Sequence, residues 1–346
     1  MVTAAELTPA FLTDALGAEV VAVDAKPVGT GQVAESVRLR LTYADGATGP
    51  ASVVAKLPSD DPTSRATSQA MQSYLIETSF YAELAPTLRV RAPGCHHVAY
   101  DPATDDFTLL LEDLAPAEQG DQIAGCSIDV AALAVGHLPE LHAPRWGDPT
   151  LQGLAWLNRA TPDRVAFAGA MYLMLIDAFE QRYDGRIDPS IIDLARRTLS
   201  RIPALAIEAP EAWTAQHGDY RLDNLLFGTA EGGPPVAVVD WQTVILGPGI
   251  ADLSYFLGAG PTTDDRRAHE QDLVRDYHGR MASAGVDLDW DWLWLQYRQH
   301  SLAGLAMAIG AAVMVGQTDR GDEMFLTMAR RHAAHALDLE VEAVLP

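Results

Sequence analysis

The stretch HGDYRLDNLLFG, residues 217–228, followed a short turn later by VAVVDWQ at 236–242, decides how this chain is read. It sets Asp219, then Asn224 five residues on, then Asp240 at the end of an apolar strand. Three oxygen-bearing side chains on a loop and a neighbouring strand end suit phosphoryl transfer from a nucleotide. The transferred group gathers negative charge, which one or two Mg2+ ions neutralise. Mg2+ takes few protein ligands, typically a carboxylate and an amide carbonyl. A further carboxylate must orient the attacking hydroxyl and accept its proton. Ordinary turn chemistry after a strand would use the same residue types for Asn224 and Asp240.

Upstream of this stretch the texture is β-rich. Thr8-Pro9 marks the start of a short helix. SVRLRLTYADG is an alternating strand closing on Asp45-Gly46, a hairpin signal, and ASVVAKLP at 51–58 is the return strand. Met71, Tyr74, Leu75, Thr78 and Tyr81 recur at spacings of three and four and predict a helix over 67–85. VRAPGCHHVAYDP and DFTLLLEDLAP read as two more strands. After residue 116 strands nearly vanish. Helices are predicted over 129–142, 163–183, 189–201, 264–284, 290–315 and 321–339, with short strands confined to 216–257. The pattern is α+β: an antiparallel β lobe with one inserted helix, residues 1–113, and a larger helical lobe, residues 114–346.

Composition removes other readings. Lys+Arg number 24 against Asp+Glu 47, a net charge of −23. Nucleic-acid binders need a basic face to displace counterions, and anionic membrane surfaces repel such a chain. Two cysteines make neither a disulfide framework nor a zinc set. The first twenty residues lack a basic segment ahead of an apolar run. SLAGLAMAIGAAVMVG, residues 301–316, is shorter than the roughly 18–20 residues of a membrane span and reads as a buried helix. A soluble, cytoplasmic protein is expected. Of the basic residues only Lys26 and Lys56 are lysines. A lysine kept in an arginine-rich chain suggests a place where a compact point charge is required.

The H-G-D-x-x-x-x-N pattern with its following D-W-Q resembles the aminoglycoside phosphotransferase and choline kinase-like superfamily, whose members have a bilobal protein-kinase-like fold and phosphorylate small molecules. HGDYRLDNLLF is similar to bacterial phosphotransferases of this group, including kinase domains fused to some acyl-CoA dehydrogenases. Asp-Trp-Gln is similar to the Asp-Phe-Gln of the ecdysteroid kinase-like branch. VVAKLP at 53–58, ETSFYAEL at 77–84, LLLEDL at 109–114, LHAPRWGDP at 141–149 and GPGIADLSYFL at 247–257 resemble further family elements in the family's order.

The resemblance implies roles. Asp219 matches the catalytic base, and Asn224 and Asp240 the metal-binding pair. Lys56 matches the lysine that reaches the α- and β-phosphates of ATP, with GTP the alternative nucleotide. Glu77 matches the carboxylate that orients that lysine; Glu83 is the competing residue, at a spacing that does not fit. Glu112 and Leu114 fall where backbone groups meet the adenine. Gly29 and Gly31 match a phosphate loop whose third glycine is replaced by Ala34, and a plain β-turn would look the same. Arg221 sits where protein kinases carry a γ-phosphate lysine; a salt bridge to Asp223 is the competing role. Asp252 matches a brace of the catalytic loop, and His217 suits holding that loop better than acid–base work.

Only eleven residues separate Asp240 from Asp252, too few for the activation segment of a protein kinase. A small-molecule hydroxyl compound is therefore the expected acceptor and partner. DLDWDWLWLQY at 287–297, with Asp287, Asp289 and Asp291 among three tryptophans, would bind a cationic, aminoglycoside-like acceptor or simply start a packed helix. Apolar hydroxy compounds suit the helical lobe equally well. The competing class is a regulatory nucleotide-binding pseudokinase.

Overall fold

The computed structural model describes residues 6–29, 34–205, 207 and 209–346. Helix α1 (Pro9–Leu16) begins where Thr8 caps it with Pro9 at its first turn. Strands β1 (Val20–Pro27), β2 (Ala34–Tyr43), β3 (Ser52–Pro58), β4 (Cys95–Asp101) and β5 (Asp106–Glu112) form an antiparallel sheet in the order β1-β2-β3-β5-β4. β1 was not singled out in the sequence because only Val20 on it is buried.

The inserted helix is broken. It runs as α2 (Pro62–Met71) and α3 (Ser73–Ser79), and a single wide π-turn follows over Phe80–Leu84. Gln72 adopts a left-handed conformation, φ 58°, and closes α2 by donating its amide to Ser68 and Gln69 carbonyls. The apolar spacing carries on through this break, which is why the sequence read one helix.

The period-two pattern of β3 divides the sheet. Val53, Ala55 and Leu57 pack under α1 with Leu12, Val37, Leu39 and Leu110. Lys56 points to the other face, where it is paired in register with Ser36 and Leu109. Phe107, Leu109 and Leu111 of that face belong to a core that also holds Phe80 and, from the helical part, Tyr220, Trp241 and Phe256. One continuous apolar cluster therefore joins the sheet to the helical lobe.

The rest is built on α4 (Ile128–His142), α5 (Pro162–Arg182), α6 (Pro189–Thr198), α7 (Ile202–Leu205), α8 (Ile250–Ala259), α9 (Thr263–Ser283), α10 (Trp290–Gln299), α11 (Ala303–Met314) and α12 (Asp319–Asp338). The expected helix over 290–315 is interrupted by a 3-10 turn at His300–Leu302. Short strands lie among these helices: β6 (Glu118–Gln119), β7 (Asn158–Arg159), β8 (Trp213–Gln216), β9 (Leu225–Thr229), β10 (Gly232–Val238) and β11 (Ile245–Pro248). They form two three-stranded sheets, β10-β9-β6 and β7-β11-β8, which carry the loops at 217–224 and 239–244. A second core of α5, α6, α8, α11 and α12 residues lies behind them. Among the described residues, no helix is long and apolar enough to cross a membrane.

Candidate active site

The loop after β8 begins at His217, whose two ring nitrogens are both engaged. Nδ1 accepts the Asp219 amide at 3.2 Å, and Nε2 donates to the Val239 carbonyl at 3.0 Å. That usage suits a clamp on the loop rather than proton transfer. Gly218 has φ +78°, and a Cβ there would lie 2.5 Å from the Thr243 carbonyl, so only glycine fits between His217 and Asp219.

Asp219 is tightly held. Asn224 Nδ2 donates to its Oδ2 and to its backbone carbonyl, both at 2.9 Å. Arg221 Nε donates to Oδ2 at 3.0 Å and to Oδ1 at 3.1 Å. Tyr255 OH donates to Oδ1 at 2.5 Å. The guanidinium of Arg221 also donates from Nη1 to Asp223 Oδ2 at 2.9 Å and touches Met324 Sδ at 3.0 Å. The salt bridge to Asp223 considered for Arg221 is thus present, together with one to the expected base. Burial alone would make Arg221 easier to deprotonate, but the charges of Asp219 and Asp223 outweigh it and raise its pKa. Burial works against ionised Asp223, yet Arg320 and Arg221 hold its carboxyl below the usual range.

Across the cleft, Lys56 Nζ lies 2.8 Å from Glu77 Oε1, 2.6 Å from Glu77 Oε2 and 2.7 Å from Asp240 Oδ1. Glu77 is 1% exposed, and its Oε1 also accepts the Trp241 amide at 3.3 Å. Phe80, three residues beyond Glu77, stacks on Trp241 with centroids 4.0 Å apart. This packing fixes the helix carboxylate against the Asp-Trp-Gln turn. Glu83 is exposed and plays no part. Burial lowers the affinity of Lys56 for its proton, but the charges of Asp240 and Glu77 reverse this and raise its pKa. Burial raises the pKa of Glu77 in spite of Lys56, whereas for Asp240 the pull of Lys56 wins and lowers it.

The two halves meet through the backbone: the Val239 amide donates to the Asn224 carbonyl at 3.0 Å. Asp240 itself has φ +67°, a left-handed conformation that aspartate tolerates better than most residues and that turns its carboxylate back toward Lys56.

The residue set fits Mg2+. The NH2 group of Asn224 is committed to Asp219, so a metal ion held here would take its amide oxygen. Asp240 contributes a carboxylate, and the neighbouring Gln242 Oε1 is buried with no hydrogen-bond partner among the described residues. Oxygen-only donors in small number are what this ion takes. No group of three or more His, Cys, Asp or Glu that could hold a metal occurs among the described residues. That does not conflict with an Asn–Asp pair completed by phosphate and water.

The remaining expected residues are placed less centrally. Gly29 follows β1 with φ +75°, and Gly31 lies outside the described residues. Glu112 closes β5 with its carboxylate gripped by Arg91 at 2.8 and 2.6 Å, so only its backbone faces a ligand role. The Leu114 carbonyl accepts the Ala117 amide at 3.0 Å. Asp252 braces the catalytic loop as expected: its carboxylate accepts the His217 and Gly218 amides at 2.7 and 3.0 Å. His142 lies 3.2 Å from Asp252 Oδ2 and 3.0 Å from Tyr277 OH. Tyr255 was missed. Its position three residues after Asp252 on α8 was the available signal.

The stretch 287–297 is a packed helix start. Asp289 caps α10 by accepting the Trp292 amide at 2.9 Å. Trp290 stacks on Trp294, and Arg275 lies 4.2 Å over the Trp290 ring. The aromatic face already carries an internal cation.

A β lobe presenting a buried lysine–glutamate pair to a His-Gly-Asp loop and a strand-end aspartate defines a kinase-like phosphotransferase. The sequence model of the phosphotransferase enzyme family, APH, matches residues 30–293. The chain belongs to this family and is a small-molecule phosphotransferase with the bilobal kinase-like fold. No curated protein sequence matches it. A protein of Ralstonia eutropha JMP134 assigned to the aminoglycoside phosphotransferases superposes with a TM-score of 0.56 at 16% identity, covering 95% of this chain and 97% of that one. The microcompartment-associated aminopropanol kinase gives 0.53 at 13% identity, with 97% and 99% covered. The ADP-bound aminoglycoside phosphotransferase APH(2'')-Ib gives 0.51 at 13%, with 93% and 97% covered.

Proposed function

We propose that this protein transfers the γ-phosphate of ATP, or of GTP, to a hydroxyl of a small molecule, with Asp219 as the base. The observation that carries this reading is the convergence of Lys56–Glu77–Asp240 with Asp219–Asn224 through one backbone hydrogen bond, Val239 to Asn224. Residues 1–113 serve as the nucleotide lobe and 114–346 as the catalytic and acceptor lobe.

Lys56 binds the α- and β-phosphates, and Glu77 holds its ammonium in place. The backbone carbonyl of Glu112 and the amide of Leu114 receive the base. Gly29 and Gly31 border the phosphates. Asn224 and Asp240 hold Mg2+, which when bound neutralises charge on the phosphates. Asp219 aligns the acceptor hydroxyl and takes its proton as the acceptor oxygen bonds to the γ-phosphorus. The bond from that phosphorus to the bridging oxygen breaks, and the nucleoside diphosphate leaves. Arg221, beside the base, supplies positive charge where the transferred group passes.

Thermal shift with Mg-ATP and ADP release across amino alcohols, aminoglycosides and apolar hydroxy compounds test the reading. We expect Asp219→Asn to keep nucleotide stabilisation and lose ADP release. Stabilisation without ADP release from any acceptor would point instead to a regulatory nucleotide-binding module.

A further inference from the structure

Helix α8 contacts the catalytic loop twice from one face. Asp252 and Tyr255 are three residues apart, so their side chains emerge on the same side, one turn above the other. Asp252 takes the backbone of the loop at His217 and Gly218. Tyr255 reaches the side chain of Asp219, and at 2.5 Å its hydroxyl makes the shortest contact given to that carboxylate. The tyrosine is 5% exposed. Its ring is not free to swing, because it stacks on His332 at 5.4 Å with 29° between planes. His332 is fully buried in turn, in a slot only glycines allow: a Cβ at Gly258 would lie 2.3 Å from its Nδ1 and one at Gly304 2.0 Å from its Cε1.

We propose that Tyr255 is a positioning residue for phosphoryl transfer. Its hydroxyl fixes the rotation of the Asp219 carboxylate so that one oxygen faces the acceptor. This rests on Asp219 being the base. The contrast with Arg221 gives the role its content. Arg221 divides its guanidinium among Asp219, Asp223 and Met324, with its side chain 18% exposed, and an incoming phosphate offers it another anion to turn to. Among the described residues Tyr255 OH has no other polar partner to exchange for, and the α8–His332 packing keeps its hydroxyl where it is. Burial, reinforced by the charge of Asp219, holds that hydroxyl protonated and therefore a donor at any working pH. A carboxylate released from one of its fixed donors samples rotations in which neither oxygen meets the acceptor. A base must stay within hydrogen-bond reach of its proton in the productive pose.

Tyr255→Phe tests this, since it removes the hydroxyl and leaves the ring on His332. Turnover is measured as ADP release with Mg-ATP and whichever panel acceptor the wild type uses best. The expected result is a fall in kcat of about 10- to 100-fold with KM for Mg-ATP within about 2-fold, the split expected of a group that aligns the base without binding substrate. A second readout does not depend on turnover. The short hydrogen bond should give a downfield, exchange-protected hydroxyl proton by NMR, lost in both Tyr255→Phe and Asp219→Asn. Wild-type kcat in Tyr255→Phe, or a wild-type spectrum without that resonance, overturns the proposal. If Asp219→Asn turns over like wild type, the reading of Asp219 as base fails instead.

Discussion

Replacing Lys56 by methionine removes the cation held between Glu77 and Asp240 and leaves two carboxylates facing each other. The side chains of Lys56, Glu77 and Asp240 are 12%, 2% and 29% exposed. Water therefore shares the charge of Asp240, and the penalty falls on Glu77. Breaking a buried pair by deleting one partner typically destabilises by about 3–5 kcal/mol. The loss has a ceiling, because Glu77 can escape by taking up a proton. At pH 7, protonating a glutamate of ordinary pKa near 4.3 requires ~4 kcal/mol, as each pKa unit is worth ~1.4 kcal/mol. The expected deficit is then about 3–4 kcal/mol at pH 7. Since burial already raises the pKa of Glu77, that proton is taken up readily once Lys56 is gone. The deficit should therefore shrink by ~1.4 kcal/mol for each pH unit lowered, with the sign set by a folded state that now binds one more proton than the unfolded chain. Urea unfolding of the wild type, Lys56→Met, Glu77→Gln and the double variant at pH 7 and pH 6 measures this. The double variant should recover most of the loss at pH 7. A pH-independent deficit, or a double variant no more stable than Lys56→Met, would refute the reasoning.

Other outcomes follow from the same geometry. Arg221→Ala should lower kcat at saturating nucleotide by about 10-fold or more in steady-state assays; unchanged turnover removes the γ-phosphate role. Gly304→Ala should destabilise by ~1–3 kcal/mol in urea melts, because the new methyl meets the buried His332 ring at 2.0 Å. His300 is buried, and its pKa is held down to about 4, so the unfolded chain binds the extra proton between that value and about 6.5. Stability should fall by ~2 kcal/mol from this group between pH 6.5 and pH 5. His300→Gln should lack that part of the loss; equal pH slopes would contradict the account.

The residues proposed for catalysis could be picked out of the sequence because the chemistry proposed for them fixes their types and their spacing along the chain. Asp219, Asn224 and Asp240 sit on one loop and one strand end, and Lys56 is marked by a strand that buries Val53, Ala55 and Leu57 on the opposite face. What escaped was anything set by geometry between distant segments. Nothing in the local pattern tells that Gln72 turns left-handed and splits a continuous apolar period. The aromatic–acidic stretch at 287–297 invited a cation, and only the fold shows Arg275 already over Trp290. Tyr255 escaped notice, since a hydroxyl that reaches across to another loop leaves no trace in hydrophobic spacing.

The scarcity of lysine has a chemical consequence once Lys56 is located. The chain offers two lysine amines. Lys26 stands on the surface, with its side chain 66% exposed and only Asp24 nearby at 3.8 Å. Lys56 is enclosed by carboxylates in the cleft. Acylating reagents that act on amines from bulk water therefore meet the first, while, on the role proposed for Lys56, an acyl group carried on a nucleotide phosphate would be delivered to the second. The protein thus separates surface labelling from site labelling by position alone, without a competing lysine elsewhere in its sequence.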